Sequence, residues 1–262
     1  MSGKPMTNYA SILVLFFLLF NFATVNAAPS TPSFSLFGTH KWNRVYLATY
    51  PRSGNHWSRY LIEEASGIAT SSLYEETVDQ HPPHLKHLFP WGGYCPFHGY
   101  EGNRRYPTRK DIVVIKTHRR SDLYHPDYQA AIRIVRHPLD SLYSHYVLRC
   151  AQENQPIDPY IPREFLLDAI RKWKEFQDYW DGKPNVVTFR YEDMLENPFD
   201  VLKEMLNICR YKCTDADIQR AVDRYPPEGY PLKHLKHYTE EDLELVFSEL
   251  GERMKKYGYG LP

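Results

Sequence analysis

Short apolar runs alternate along the chain with longer segments in which apolar residues recur at helical spacing. Four runs have the length and composition of buried strands, at residues 44–49, 112–117, 131–135 and 186–190. Helical spacing predicts six helices, at residues 55–66, 138–150, 165–180, 198–209, 215–224 and 240–256. Because strands alternate with helices, we predict an α/β fold of three layers, in which helices flank a central parallel sheet.

Two parts of the chain lack this alternation. Residues 70–108 are rich in His, Pro, Gly and Tyr, which predicts a long irregular segment of the kind that is usually functional or poorly ordered. Residues 11–22 form an apolar run that is shorter than the ~20 residues of a spanning helix. We therefore predict a signal peptide at residues 1–27, with a signal anchor as the alternative. A flexible Pro/Ser-rich leader at residues 28–40 would then precede a single domain at residues 41–262.

The overall charge limits the classes of partner. Lys+Arg and Asp+Glu both number 32, so the formal net charge is zero. This balance argues against nucleic acid and acidic membrane surfaces as partners. Any anion site must therefore be a local concentration of hydrogen-bond donors and cations.

Four cysteines suit the oxidising secretory lumen that the apolar leader implies. They are Cys95, Cys150, Cys209 and Cys213, and four cysteines allow three pairings. Cys209 and Cys213 are close enough in sequence for a local bridge. Buried free thiols are the alternative.

A polar turn with the features of an anion-binding loop follows the first predicted strand. Residues 49–57 read TYPRSGNHW and lie between a strand and a helix, where unpaired backbone N–H groups can point at a phosphate. Gly54 allows close approach of the backbone, and Arg52 adds a permanent positive charge. No GxxxxGKS/T sequence occurs, so the Lys and the Mg²⁺-binding hydroxyl of a nucleoside-triphosphate loop are absent. An ordinary strand-to-helix turn with a surface arginine is the alternative.

Two further strand ends carry residues suited to group transfer. Lys116 and His118 lie two residues apart at the end of the second predicted strand, so they should project into the same cleft. A histidine there can take a proton from a hydroxyl, because its ordinary pKa is near neutrality, and a lysine can steady the migrating group. Arg136 follows the third predicted strand, and Ser144 lies two helical turns further on, so the two can hold one anion.

Together these motifs resemble those of PAPS-dependent sulfotransferases, where PAPS is the adenosine 3′-phosphate 5′-phosphosulfate donor. TYPRSGNHW resembles the family's TYPKSGTTW loop, RHPLDSLYS resembles RNPxDxxxS, KTHRR resembles KTHLP, and residues 191–194 resemble the YEDM segment. The resemblance covers the chain from about residue 44 to the C-terminus. It implies a P-loop-like fold, PAPS as co-substrate, no metal, and transfer of a sulfuryl group to an acceptor hydroxyl.

The resemblance also implies a role for each motif residue. The residues expected around the 5′-phosphate are Arg52, Ser53, Gly54, Asn55 and His56. The residues expected at the 3′-phosphate are Arg136 and Ser144, and those expected beside the adenine are Trp57 and Tyr191. The implied catalytic residues are His118, Lys116 and Arg52.

Three departures from the family pattern bear on mechanism and acceptor. Arg52 replaces the usual lysine of the loop, as in the Golgi carbohydrate enzymes; it cannot donate a proton, so it would stabilise the leaving group by charge alone. Arg119 and Arg120 replace the Leu-Pro of KTHLP, which favours an acidic acceptor such as a sulfated glycan or a uronate. The family's C-terminal RKG is missing; Lys233 and Lys236 could substitute for it, or they are ordinary solvated lysines.

We therefore expect a sulfotransferase of the secretory pathway, retained in the Golgi lumen or membrane, with secretion as the alternative. The sequence does not name the acceptor, although a carbohydrate is favoured, and it does not define the oligomeric state. Two rival functions are a kinase on a related fold and a lumenal nucleotide-binding protein without catalysis. For one cluster a loop zinc site is the minor alternative, and an acceptor-binding loop or a solvated surface is favoured there. That cluster consists of His81, His84, His87, Cys95 and His98.

Overall fold

A five-stranded parallel sheet forms the centre of the protein. The computed structural model describes residues 45–73, 112–124 and 128–260. Its strands are β1 (Val45–Thr49), β2 (Ala69–Ser72), β3 (Ile112–Thr117), β4 (Ala130–Val135) and β5 (Val186–Arg190). They are ordered β2-β3-β1-β4-β5, and every neighbouring pair is parallel. The predicted central parallel sheet is confirmed.

Helices cover both faces of this sheet. Those of the described residues are α1 (Asn55–Ser66), α2 (Pro138–Glu153), α3 (Arg163–Asp181), α4 (Tyr191–Glu196), α5 (Pro198–Ile208), α6 (Asp215–Arg224) and α7 (Glu240–Lys256). Helices α2, α3 and α7 contribute to the core on one face, and α1, α5 and α6 contribute to the core on the other. The predicted three-layer α/β fold is therefore confirmed.

Strand β1 is apolar from Val45 to Ala48 because helices bury it from both sides. In β1, Tyr46 and Ala48 belong to the core under α2 and α3, whereas Val45 and Leu47 belong to the core under α1. All four side chains are at most 2% exposed. A run without polar alternation is typical of a strand that is covered on both faces.

The edge strand β2 has a polar sequence, Ala-Thr-Ser-Ser, and the hydrophobic pattern does not predict it. Its residues are nevertheless buried, because polar groups of α1 pair with them. Nε of the fully buried Arg59 donates to Thr70 Oγ1 at 2.7 Å. Glu63 accepts from both the backbone N–H and the hydroxyl of Thr70. Hydrogen bonds to the buried charged side chains of Arg59 and Glu63 thus hold β2 in the sheet, whereas β1 is held by apolar contacts.

Several sequence predictions fall outside the described residues. These are the signal peptide and leader at residues 1–40, Cys95 with the histidine cluster around it, and most of the irregular segment. The first residues of that segment are not irregular, because Ala69–Ser72 is strand β2. Among the helices that the structure describes, none is long and apolar enough to cross a membrane.

Each of the six predicted helices corresponds to an observed helix, and the ends of α6 and α7 are as predicted. Both helices begin with a capping box, in which Thr214 or Thr239 accepts from a backbone N–H three residues later. Helix α4 has only six residues, which is too short for a recognisable apolar period, and the sequence pattern does not predict it.

The three described cysteines, Cys150, Cys209 and Cys213, are free thiols. Cys150 and Cys209 are each 6% exposed. Burial, with the neighbouring Cys213, raises the pKa of Cys209 to about 12. Cys209 and Cys213 therefore do not form the local bridge that their spacing allows, and the alternative of free thiols is the one observed.

Replacing Thr70 by valine should destabilise the protein, because Arg59 would lose a buried acceptor and Glu63 would lose the hydroxyl donor while keeping the backbone N–H. Leaving a buried polar group short of a partner costs about 1–3 kcal/mol. We therefore expect the free energy of unfolding, measured in urea, to fall by roughly 2 kcal/mol or more.

The control is Ser248→Ala on the exposed side of α7. There the hydroxyl donates to the carbonyl of Leu245 in the same helix at 2.9 Å, so its loss leaves no buried charged group short of a partner. The control should change the free energy of unfolding by less than about 0.5 kcal/mol. Equal losses in the two variants would contradict the role assigned to Thr70.

Candidate active site

The predicted site residues lie at the carboxyl edge of the sheet. The strands β1, β3, β4 and β5 are parallel, so the segments that follow them meet at this edge. These segments begin at Tyr50, His118, Arg136 and Tyr191. Ligands of open parallel sheets bind in the crevice outside the carboxyl ends of the strands.

The turn between β1 and α1 leaves the N-terminus of the helix open. Arg52 and Gly54 both have left-handed backbone conformations, with φ of 66° and 92°. Gly54 is the N-cap of α1, and it provides no side chain to cap the first N–H groups. A Cβ on residue 54 would lie 2.5 Å from Cδ2 of Tyr191. Glycine therefore suits this position for two reasons: it adopts the left-handed backbone without strain, and it leaves room for the Tyr191 ring.

Arg52 joins this loop to helix α2 and to the end of β4. Its Nε donates to Ser144 Oγ at 3.0 Å, and its backbone carbonyl accepts from Arg136 Nη1 at 3.0 Å. Partial burial and the nearby Arg136 lower the pKa of Arg52, as expected where positive charges converge. A carboxylate oxygen of Asp140 lies 3.6 Å from Arg136 Nη2 and balances part of this charge. The structure thus brings the two predicted anion-binding stretches into direct contact.

Tyr191 connects the aromatic residues of the site to the cationic ones. Cζ of Arg136 lies over its ring, 4.7 Å from the centroid. Trp57 packs edge-on against the same ring at 6.0 Å, and its indole N–H donates to the carbonyl of Tyr225 at 2.8 Å. The two residues expected beside the adenine are therefore neighbours in the structure.

The last residue of β1 orients His118. Nδ1 of His118 lies 2.6 Å from the carbonyl oxygen of Thr49 and 3.2 Å from its hydroxyl. Because a carbonyl oxygen only accepts, Nδ1 carries the proton, and the lone pair is on Nε2. This is the tautomer that a general base requires. Strand register explains the contact, since Ala48 pairs with Thr117 immediately before these two residues.

Lys116 lies on the same side of the site as His118. Its side chain is only 4% exposed, and its Nζ is 3.5 Å from Nε2 of His56 in the first turn of α1. Both residues of the β3 end therefore contact the β1–α1 connection, one through His56 and the other through Thr49.

Buried donors in this region suit an anionic ligand. Ser53 Oγ and Arg136 Nε are buried, and neither has a hydrogen-bond partner in the part of the chain that the structure describes. Donors that lack acceptors beside cationic side chains fit a phosphate, and the site residues are in this respect compatible with PAPS. Asn55 differs, because its Nδ2 donates inward to Thr49 Oγ1 at 3.3 Å and so ties the turn to β1.

No group of three or more metal-ligating side chains occurs within residues 45–73, 112–124 and 128–260. The cationic character of the site comes from Arg52, Lys116 and Arg136. The histidine and cysteine cluster weighed as a zinc site lies outside these ranges.

The segment that carries Lys233 and Lys236 is held against the start of α2. The carboxylate of Asp140 accepts from the backbone N–H groups of Leu232 and His234, at 2.8 and 3.1 Å. The same carboxylate faces Arg136. The segment therefore lies beside the residues expected at the 3′-phosphate, and the substitution of these lysines for RKG stays a prediction.

Arg120, one of the two arginines after His118, pairs with Glu175 of α3 at 2.8 Å. Both side chains are well exposed, so this pair is weak and can exchange for another partner. An acidic acceptor therefore stays a prediction.

Two residues that orient the site are not among the predicted site residues. Asp140 lies within the RHPLDSLYS segment itself, so the resemblance contained the signal for it. Thr49 acts mainly through a backbone carbonyl at a position set by strand register, and a pattern of side chains does not reveal such a contact.

Replacing Gly54 by alanine should weaken the binding of adenosine 3′,5′-bisphosphate (PAP). The new Cβ would push against Tyr191 and would strain a left-handed backbone, a cost of about 1–2 kcal/mol from the backbone alone. We expect at least tenfold weaker PAP binding in titration calorimetry. Gly251→Ala in α7 is the control, because nothing lies within 4 Å of its Cβ. A Gly54 variant with wild-type affinity would contradict the close fit.

The pH dependence of stability should reflect three histidines. Burial lowers the pKa of His137, that of His145 and that of His234 to about 4, whereas each titrates near 6.5 when unfolded. The unfolded state then binds protons first, so the free energy of unfolding should decrease as the pH falls from about 6.5 to 4. Urea unfolding between pH 4.5 and 7.5 measures this. Equal stability at pH 7 and pH 5 would contradict the three shifts.

Comparison with known proteins places the chain in a family. A family model described as the sulfotransferase domain matches residues 43–226, which is more than half of the chain. A curated relative, the WSCD family member CG9164 of Drosophila melanogaster, is 29% identical over 190 residues. The match covers 68% of this chain and 54% of that protein, so the chain spans about half of the relative's length.

Solved structures of sulfotransferases have the same fold. Mouse sulfotransferase SULT7A1 complexed with PAP matches with a TM-score of 0.56 and 16% identity, over 82% of this chain and 86% of that chain. Sulfotransferase STF9 from Mycobacterium avium matches with a TM-score of 0.55 and 14% identity, over 85% of this chain and 79% of that chain. The family resemblance of the motifs is confirmed: this chain belongs to the sulfotransferase domain family.

Proposed function

We propose that this protein transfers a sulfuryl group from PAPS to a hydroxyl group of a carbohydrate in the secretory pathway. The observation that carries the proposal is the junction of Arg52, Ser144 and Arg136 at the open N-terminus of α1. This junction combines two arginines, a hydroxyl and backbone N–H groups, which are the groups that bind phosphates. Family membership supports the same activity.

The donor would be held at both of its phosphate groups. The 5′ group would lie at the first turn of α1, near Arg52, Ser53 and Gly54, while the 3′-phosphate would lie between Arg136 and Ser144. PAPS supplies a sulfuryl group that is already activated by its bond to phosphate. The protein therefore mainly has to position the reactants and stabilise charge.

The proton of the acceptor would pass to His118. Nε2 of His118 holds the lone pair, since Nδ1 is engaged by Thr49, and it would take the proton of the acceptor hydroxyl. The acceptor oxygen then forms a bond to sulfur as the bond from sulfur to the bridging oxygen breaks, and PAP leaves with that electron pair. Lys116 and Arg52 would stabilise the negative charge on the transferred group and on the bridging oxygen.

A cavity between α2 and α3, whose lining is about equally polar and apolar, is compatible with a carbohydrate acceptor. Its volume is about 510 Å³, and His145, which directly follows Ser144, is part of its lining. Tyr146 and Phe165 give it aromatic surface, and Asp158 gives it an acceptor. Further lining residues are the charged side chains Arg149, Glu153, Asp168 and Lys172. Aromatic rings combined with many hydrogen-bonding groups suit a polyhydroxylated ligand better than a hydrophobic alcohol.

The secretory location rests on the sequence of the leader. Residues 11–22 are apolar and precede a Pro/Ser-rich stretch, as in a signal peptide or a signal anchor. Retention in the Golgi would give the enzyme access to both PAPS and glycans. Fractionation of cells that express the full chain, with detection of a tag inserted after residue 40, tests this location.

Transfer of labelled sulfate to a panel of glycans, tyrosine peptides and small alcohols tests the activity and the acceptor class. We expect transfer to glycans above the other two classes. His118→Ala should lower transfer by about 10²–10⁴-fold while PAP affinity changes little, because His118 acts on the acceptor proton. Arg136→Ala should instead weaken PAP binding, which titration calorimetry measures.

Three outcomes would contradict the proposal in different ways. A His118→Ala variant with wild-type transfer would remove the assigned base. Transfer to peptides or small alcohols alone would overturn the carbohydrate acceptor but leave the reaction intact. Tighter binding of ATP than of PAP would favour the kinase, and PAP binding without transfer to any acceptor would favour a nucleotide-binding protein without catalysis.

A further inference from the structure

The chain segment after α7 returns to the carboxyl edge of the sheet. Gly258 has a left-handed backbone with φ of 73°, which turns the chain away from the helix axis. Tyr259 then enters the core, where its side chain is only 4% exposed. Its hydroxyl lies 3.0 Å from the carbonyl oxygen of Val135 and 2.5 Å from Oε2 of Glu192.

Tyr259 thereby reaches both residues that flank Arg136, Val135 directly and His137 through Glu192. The other carboxylate oxygen of Glu192 accepts from the backbone N–H of His137 at 3.0 Å. Val135 precedes Arg136 and His137 follows it. The single hydroxyl hydrogen of Tyr259 is shared between the Val135 carbonyl and the Glu192 carboxylate, so the Tyr259–Glu192 pair contacts the backbone on both sides of this arginine. Val135 is also the last residue of β4 in register with β5, and beyond it the sheet no longer fixes the chain.

The side chains of Tyr259 and Glu192 are both buried, so water does not readily replace their hydrogen bonds. Glu192 is 5% exposed, and its charge would be costly to bury without the two donors that it receives. Burial and the neighbouring Glu192 raise the pKa of Tyr259 well above its usual value, so its hydroxyl keeps its proton. Arg190 also contacts the Tyr259 ring, with Cζ 4.7 Å from the ring centroid.

The position of Arg136 matters because its guanidinium makes directional contacts. Nη1 donates to the carbonyl of Arg52, Cζ lies over Tyr191, and Nε is buried without a partner in the described structure. A forked cation recognises a phosphate only when its N–H groups point correctly. A small shift of the backbone at residue 136 would therefore alter recognition of a bound phosphate more than it would alter the fold.

We propose that Tyr259, through Glu192, is a positioning residue that sets Arg136 for the 3′-phosphate of the donor. The inference rests on the proposed function, since it takes Arg136 to be the ligand of that phosphate. It gives the segment after α7 a part in nucleotide recognition, although none of the sequence motifs includes it. Its effect should be confined to nucleotides that carry a 3′-phosphate.

The test compares two nucleotides that differ in that phosphate alone, PAP and 5′-AMP, in binding to the full-length wild type and to Tyr259→Phe. This substitution removes the hydroxyl and keeps the buried ring. We expect PAP binding to weaken about tenfold, while AMP affinity changes by less than about twofold. Titration calorimetry gives both constants, and AMP binding reports whether the variant is folded.

Tyr257→Phe is the matched control on the same segment. Its hydroxyl donates to Asp181 at 3.0 Å, remote in sequence from the residues around Arg136, and the ring is 8% exposed. This variant loses one buried tyrosine hydroxyl as well, so it should lose comparable stability but keep its preference for PAP. A similar loss of PAP preference in both variants would show a general structural effect and would overturn the inference.

A double variant tests whether Tyr259 acts through Arg136. In an Arg136→Ala background, the further change Tyr259→Phe should not weaken PAP binding again, because the group that it positions is absent. Additive losses would overturn the inference. Wild-type protein that binds PAP no better than AMP would overturn the proposed 3′-phosphate site and the inference with it. If the wild type prefers PAP and Tyr259→Phe keeps that preference, the inference is overturned while the proposed 3′-phosphate site stands.

Discussion

The contact between Arg136 and the backbone carbonyl of Arg52 is the constraint on which the site depends. It joins residues 84 positions apart in the sequence, and it does so at the edge where the five parallel strands end. Two arginines with converging charges repel each other, so the protein must compensate for their proximity. Asp140 supplies part of the compensation, and the Tyr191 ring offers its negative face to Arg136. An incoming anion would relieve the remaining repulsion, and this coupling makes the arrangement selective for negatively charged ligands.

In the part of the chain that the structure describes, strand ends and helix starts position these groups. Thr49 and His118 meet because β1 and β3 are adjacent and in register, while Arg136 and Tyr191 meet because β4 and β5 are adjacent. Each chemical group therefore stands on the end of a rigid strand or at the start of a helix. A site built in this way needs little rearrangement to bind its ligand, which favours both affinity and rate.

Much of the fold could be predicted from the sequence, because strands covered on both faces give continuous apolar runs. β1 is an example, with Val45 to Ala48 all buried. β2 could not be predicted in this way, because Arg59 and Glu63 hold it through polar contacts. The motif residues of the candidate site were predicted from family resemblance and are found close together. The contacts of Thr49 and Tyr259 were not, because backbone carbonyls and strand register create them, and these leave no pattern of side chains.

The free thiols have a practical consequence for work on this protein. Cys209 is buried and its pKa is raised to about 12, so it is present as the thiol and not as the reactive thiolate at neutral pH. Cys150 is equally buried in the opposite core. No bridge links the three described cysteines, and the two helical layers are held by packing. This part of the chain should therefore tolerate a reducing expression host, and alkylating reagents should label it slowly unless it unfolds.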